Sequence, residues 1–190
     1  MGEHDPRSPQ VVRRETLVRG RRFDFEEVEL RSPAGHISKR QHIRHPGAAC
    51  VLPLREGTEG PALVMVRVYR AAFGEHLLEL PAGTIEAGEE PAPCAARELV
   101  EETGFSAATL REIGRFYTSP GLSDEVMWAF LATDLTHVGQ SLDEDELLHV
   151  EEIPLARALG MARAGGLKDG KTILTLLLAD TLGLLGGSQP

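Results

Sequence analysis

Short stretches of alternating apolar and polar residues fill most of this chain, and helical periodicity enters at three places. Residues 15–31 (ETLVRGRRFDFEEVELR) alternate and predict a long strand pair. Ser32-Pro33-Ala34-Gly35 predicts a turn, after which 36–44 returns as a strand. Residues 48–54 predict a short apolar strand, and 62–70 a strand with Val64, Val66 and Val68 on its inward face. An apolar run at 77–80 reads as a strand end. Further strands are expected at 110–117, at 125–133 and in LLHVEEI, 147–153. In 91–103, Ala92, Ala95, Ala96, Leu99 and Val100 recur at helical spacing and give one apolar face. Residues 155–164 and 170–184 also read as helices. Strands interrupted by helices suit an α/β (α+β) sandwich, with N-terminal antiparallel strands.

At 190 residues the chain supports one domain with a proper core. We expect residues 1–44 to form a β-strand arm and 45–190 the main domain. No stretch of about eighteen apolar residues and no leader pattern occurs, so neither a membrane span nor secretion is expected. The net charge of −9 argues against non-specific binding to nucleic-acid backbones. That charge is uneven: the segment before residue 45 is rich in arginine, Arg40 among them, and reads either as an arm meeting phosphates or an acidic partner subunit or as exposed strand faces. Cys50 and Cys94, the two cysteines, suggest reduced thiols in the cytoplasm rather than a disulfide framework.

Residues 83–105, GTIEAGEEPAPCAARELVEETGF, carry the chemistry. Pro91 suits the first turn of a helix, where its missing N–H costs nothing. Gly104 is a natural stop. At about 100° per residue, Glu98, Glu101 and Glu102 fall within an arc of roughly 100°. Carboxylates that close repel unless a cation sits among them. Arg97 pairs with Glu101 one turn on but cannot neutralise the cluster alone. Mg²⁺ prefers carboxylate oxygens and is usually shared with substrate phosphates, so the acidic face reads as a metal platform for a pyrophosphate. Gly83, after Pro81-Ala82, allows a tight turn and close approach to a ligand.

The string fits G-x5-E-x7-R-E-U-x-E-E-x-G-U, with U bulky and apolar, at Gly83, Glu89, Arg97, Glu98, Leu99, Glu101, Glu102, Gly104 and Phe105. It resembles the box of the Nudix hydrolases, which cut a nucleoside diphosphate linked to another group. The resemblance implies an α/β/α sandwich with a mixed sheet. It also implies two or three Mg²⁺, with Mn²⁺ or Zn²⁺ as alternatives, held by Glu98, Glu102, Glu101 and the Ala82 carbonyl. Gly83, Glu89, Arg97 and Gly104 would be structural members of the motif, and Gly83 would also approach the substrate. Pro120, sixteen residues after Gly104 within FYTSPGLSDE, is similar to the ADP-ribose pyrophosphatase subgroup. So are HPGAA at 45–49 and VRVYR-x7-LELPAG, which place Arg70, and with it Glu79, at substrate-contacting positions. Val68 departs from the glutamine usual there. A loop glutamate acts as general base in relatives, and Glu146 is the best match, Glu144 the second. The implied reaction is hydrolysis of ADP-ribose to AMP and ribose 5-phosphate by a homodimer whose arm packs across the partner. The alternatives are another nucleoside diphosphate sugar such as GDP-mannose, flavin adenine dinucleotide, or a non-catalytic module sensing ADP-ribose.

Three other features are weighed against this. GGLKDGKT, 165–172, formally fits a phosphate loop, but a helical pattern precedes it where a strand is required. Asp169 is expected to cap the last helix instead. His36, His42 and His45 are expected on strand surfaces, and Trp128 in the core.

Overall fold

The structure is a computed structural model describing residues 5, 7–57, 60–142 and 147–186. Contacts divide it into two compact units. The smaller contains the chain up to Gly47 together with Tyr117–Val126. Its strands β1 (Gln10–Arg19), β2 (Asp24–Arg31) and β3 (Ile37–Arg44) form an antiparallel sheet in the order β1-β2-β3. β1 begins five residues earlier than the alternation predicts, because Val11 and Val12 follow each other and hide the period. Two register shifts bend β1 against β2, between Val11 and Arg13 and between Thr16 and Val18. This sheet has little core. Val28 is buried, whereas Val11, Val12, Leu17, Val18, Phe23 and Ile37 are exposed.

The segment 117–126 packs on β3 in the same unit. The Ile43 amide donates to the Leu122 carbonyl at 2.8 Å, and the His45 amide to Asp124 Oδ1 at 2.7 Å. His42 and His45 are thereby largely covered, with side chains 20% and 12% exposed, while His36 stays exposed as expected. The expectation of strand-surface histidines fails at 42 and 45 because a segment about eighty residues later in the chain covers them, which parity cannot show.

In the larger unit, β4 (Ala48–Gly57), β5 (Gly60–Arg70), β6 (Glu75–Glu79), β7 (Ala82–Thr84), β8 (Phe105–Tyr117), β9 (Val126–His137) and β10 (Leu148–Pro154) form one mixed sheet. Its order is β10-β5-β4-β9-β8, with β6 on β5 and β7 on β4. β4 and β9 run parallel from Ala48↔Met127 to Pro53↔Ala132, and β4–β5, β5–β6, β5–β10 and β4–β7 are antiparallel. β8 starts five residues before the expected 110, directly after the glycine that ends the preceding helix.

Helix α1 (Pro91–Thr103) covers one face of the sheet, where Cys94, Ala95 and Leu99 pack on Ala49, Val51, Phe130 and Ala132. Helices α2 (Leu155–Arg163) and α3 (Gly170–Thr181) cover the other, with Ala158, Leu176 and Ala179 against Leu52, Met65 and Leu131. The expected α/β/α sandwich is therefore present. Because both faces are covered, Leu63 and Met65 are as buried as Val64 and Val66, so β5 has no single inward side. Ala92 and Ala96 are exposed, and α1 instead buries Cys94, Ala95, Glu98, Leu99, Glu102 and Thr103. Cys50 and Cys94 are both free and buried. Trp128 packs partly buried beside the α1 core. No helix among the described residues is long and apolar enough to cross a membrane.

Candidate active site

Two sharp local features deliver the acidic helix to the sheet. Pro91 opens α1, and Gly104 closes it in the left-handed region at φ 75°, where its amide reaches the Val100 carbonyl at 2.8 Å. A side chain at Gly104 would be strained by that φ and would meet the Gln140 amide nitrogen at 2.8 Å. Between these ends, Glu98 and Glu102 turn toward the segment just before the helix and are only 7% exposed each.

That segment is a turn held from several sides. The Val51 amide donates to the Pro81 carbonyl at 2.9 Å, and β7 pairs with β4 through Cys50↔Ala82 and Ala49↔Gly83. Glu102 Oε2 accepts from the Ala82 amide at 2.9 Å. Glu98 lies directly on Gly83: a Cβ there would stand 1.8 Å from Glu98 Oε1. The glycine is thus required because a carboxylate occupies the space a side chain would take.

Arg97 organises the remaining charge. Its Nε and Nη2 donate to the two oxygens of Glu89 at 2.9 and 3.1 Å. Its Nη1 donates to Glu98 Oε1 at 2.7 Å and Glu101 Oε2 at 2.8 Å, and Nη2 reaches the Thr84 carbonyl at 3.3 Å. Glu89 also accepts from the Glu86 amide at 2.9 Å, closing the loop before α1. The Arg97 bonds hold the Glu89 carboxyl below its usual range, while Glu89 raises the guanidinium further. Among the described residues no three acidic, histidine or cysteine side chains converge as a ready ligand cluster. Arg97 bridges Glu98 and Glu101 instead. The donor set nonetheless suits a hard cation, since it consists of carboxylate oxygens pressed on a backbone turn that offers carbonyls.

A second charged cluster lies just upstream. Arg70, at the end of β5, donates twice to Glu79, with Nε and Nη2 each 2.7 Å from a carboxylate oxygen. Glu79 is 1% exposed and also accepts from Lys171 Nζ. Lys171 in turn reaches Asp169 Oδ2 at 3.0 Å. Asp169 caps α3 as expected, accepting from the Thr172 amide at 3.0 Å, and Thr172 Oγ1 accepts from the Leu80 amide at 2.8 Å. Burial works to raise the Glu79 carboxyl, but Arg70 and Lys171 prevail and hold it below its usual value. Burial likewise works to lower Lys171, yet Asp169 and Glu79 keep it above its own. Arg70 is raised mainly by its bonds to Glu79, with smaller contributions from the Asp169 and Glu102 charges.

The structure therefore brings Ala82, Gly83, Glu89, Arg97, Glu98, Glu101 and Glu102 into one site, with Arg70 and Glu79 beside it. Arg40 and Pro120 belong to the smaller unit. Arg40 is exposed and donates to the Lys39 carbonyl, and Pro120 lines a cleft with His42, Tyr117, Ser123 and Asp124. Glu144 and Glu146 lie outside the described residues. The residue that sequence reasoning missed is Lys171. No local pattern signals it, because its partner Glu79 lies 92 residues earlier in the chain.

A NUDIX domain model matches residues 43–176. The chain is 40% identical over 167 residues to an ADP-ribose pyrophosphatase of Bacillus subtilis (strain 168), covering 86% of this chain and 88% of that one. It is 34% identical to an ADP-ribose pyrophosphatase of Mycobacterium tuberculosis, covering 100% and 90% of the two chains. Among solved structures, a crystal structure of an ADP compounds hydrolase aligns with a TM-score of 0.80 at 24% identity, over 97% of this chain and 99% of that one.

Proposed function

The chain belongs to the Nudix family, and from that premise we propose that it hydrolyses the pyrophosphate bond of ADP-ribose to give AMP and ribose 5-phosphate. The observation carrying this reading is the packing of Glu98 and Glu102 on the Ala82-Gly83 turn. The similarity to ADP-ribose pyrophosphatases selects the substrate. Members of this family in general work with divalent metals. Glu98, Glu101, Glu102 and the Ala82 carbonyl would hold them, with Mg²⁺ the metal that suits these hard oxygen donors, as two or three ions. Bound there, Mg²⁺ would neutralise the pyrophosphate and make a water acidic enough to attack.

The chain's own residues supply placement. Arg97 fixes the rotamers of Glu98 and Glu101 from one side, and Glu89 fixes Arg97 from the other. Gly83 lets carboxylate and backbone approach the same point. Arg70, anchored on Glu79, has a side chain that remains 44% exposed and so open to the anionic substrate. The water proton would go to Glu146 or, second, to Glu144, by their place in the sequence alone. Glu146→Gln should lower kcat by about 10² or more with KM nearly unchanged, as removal of a positioned base does. Glu144→Gln is the control. Near-parental kcat in both variants would move the base to Glu101.

The exposed apolar residues of the β1-β2-β3 sheet support a homodimer built on this arm, since a monomer leaves Val11, Leu17, Val18 and Ile37 in water. Sedimentation should give twice the chain mass, and a monomer at micromolar concentration would refute it. Two buried free thiols support a reducing, cytoplasmic setting. The reaction itself is tested with a panel of ADP-ribose, GDP-mannose, flavin adenine dinucleotide, diadenosine polyphosphates and NADH in Mg²⁺. ADP-ribose should show the highest kcat/KM, and a rival ahead by about tenfold, some 1.4 kcal/mol, would overturn the substrate.

A further inference from the structure

The segment whose sequence fits a phosphate loop, GGLKDGKT, sends its lysine inward, to a carboxylate. Lys171 is 11% exposed at the start of α3 and lies between Glu79 and Asp169. Glu79 thus has two cationic partners, and they differ. Lys171 is buried, and Asp169 holds it from its other side. Arg70 is 44% exposed and is the partner within reach of a ligand.

A buried carboxylate that loses its counterion is strongly destabilised. Were Arg70 the sole partner of Glu79, drawing its guanidinium toward a phosphate would strand that charge in the core. Substrate binding would then oppose the Arg70–Glu79 pair. With Lys171 in place the carboxylate keeps a buried cationic partner, shared with Asp169, whichever way Arg70 turns. We propose that Lys171 is a positioning residue for catalysis: it serves as the permanent counterion of Glu79 and so releases Arg70 to engage the substrate pyrophosphate. This inference rests on the ADP-ribose hydrolase reading and adds to it a residue outside the box, from the last helix.

The geometry separates this role from simple support of the fold. Thr172, not Lys171, bonds the backbone of the active-site turn, through the Leu80 amide. Among the described residues, Lys171 Nζ bonds the side-chain carboxylates of Glu79 and Asp169. Its loss should therefore be felt in substrate affinity more than in the chemical step.

The test uses the full-length protein, ADP-ribose and saturating Mg²⁺. Lys171→Met should raise KM by about tenfold, which corresponds to about 1.4 kcal/mol of lost binding, and lower kcat by less than about threefold. Lys171→Arg should recover most of the affinity, because it keeps the charge. Lys171→Met combined with Glu79→Gln should bring KM down again by about fivefold from the single variant, because a neutral amide no longer competes for Arg70. That double variant also removes the unpaired charge, so it stays informative where the single variant folds poorly. A fall in kcat at unchanged KM, or a double variant with KM no better than Lys171→Met, would overturn the proposal. A parent protein inactive on ADP-ribose would instead overturn the functional reading on which it rests.

Discussion

Glu102→Gln is expected to lower kcat at saturating Mg²⁺ by about 10² or more while the protein stays folded. The variant keeps the shape of the side chain and an oxygen for the Ala82 amide, so the 2.9 Å bond that fixes the turn survives. What disappears is one negative charge at a position 7% exposed, where its interaction with a cation or a developing charge is weakly screened. Losing one such preorganised electrostatic contact typically costs about 10²–10³ in rate. Thermal unfolding should shift by only a few degrees. Activity within about threefold of the parent would sink the metal-platform reading.

Gly83→Ala separates geometry from charge. The new Cβ would fall 1.8 Å from Glu98 Oε1 and 2.0 Å from Glu98 Cδ, so the carboxylate must leave. Gly83 is absent from the positive-φ glycines, so alanine is compatible with its backbone. The clashing atoms are the end of a flexible side chain and can swing aside. Stability should therefore change by less than about 1 kcal/mol, the unfolded chain losing some freedom in compensation. Activity should fall by about 10², the loss expected when a group is displaced by an ångström or more from its working place. The paired measurement is a melting curve beside kcat/KM. A variant of parental activity would show that Glu98 does not need its place on the turn. A variant that fails to fold would show the clash to be borne by backbone.

The box was legible because its constraints are local. A glycine, an arginine and four glutamates within about twenty residues define a helix, its two ends and the turn it faces, and the structure places them accordingly. The sandwich was legible from the alternation of strands and helices. What escaped depended on contacts between distant parts of the chain. Glu79 and Lys171 meet across 92 residues, and nothing in LELPAG announces a lysine partner. In the same way GGLKDGKT shows a phosphate-loop spacing whose lysine faces the core. His45 is covered through Asp124, 79 residues away. The alternation in β5 pointed to one inward face, and only the helices on both sides of the sheet bury the other.

The two cysteines give this molecule an internal reporter. Burial pushes the Cys50 thiol up to about 11, and burial with the Glu89 charge pushes Cys94 up to about 12. Both therefore stay protonated at neutral pH and resist electrophiles while their surroundings remain closed. Cys94 is sealed between the acidic helix and the sheet, whereas Cys50 lies on the opposite side against Thr175 of the last helix. Alkylation at each sulfur thus times the opening of a different layer. Comparing the two rates distinguishes local loosening of the catalytic helix from departure of the C-terminal one, with no label added to the chain.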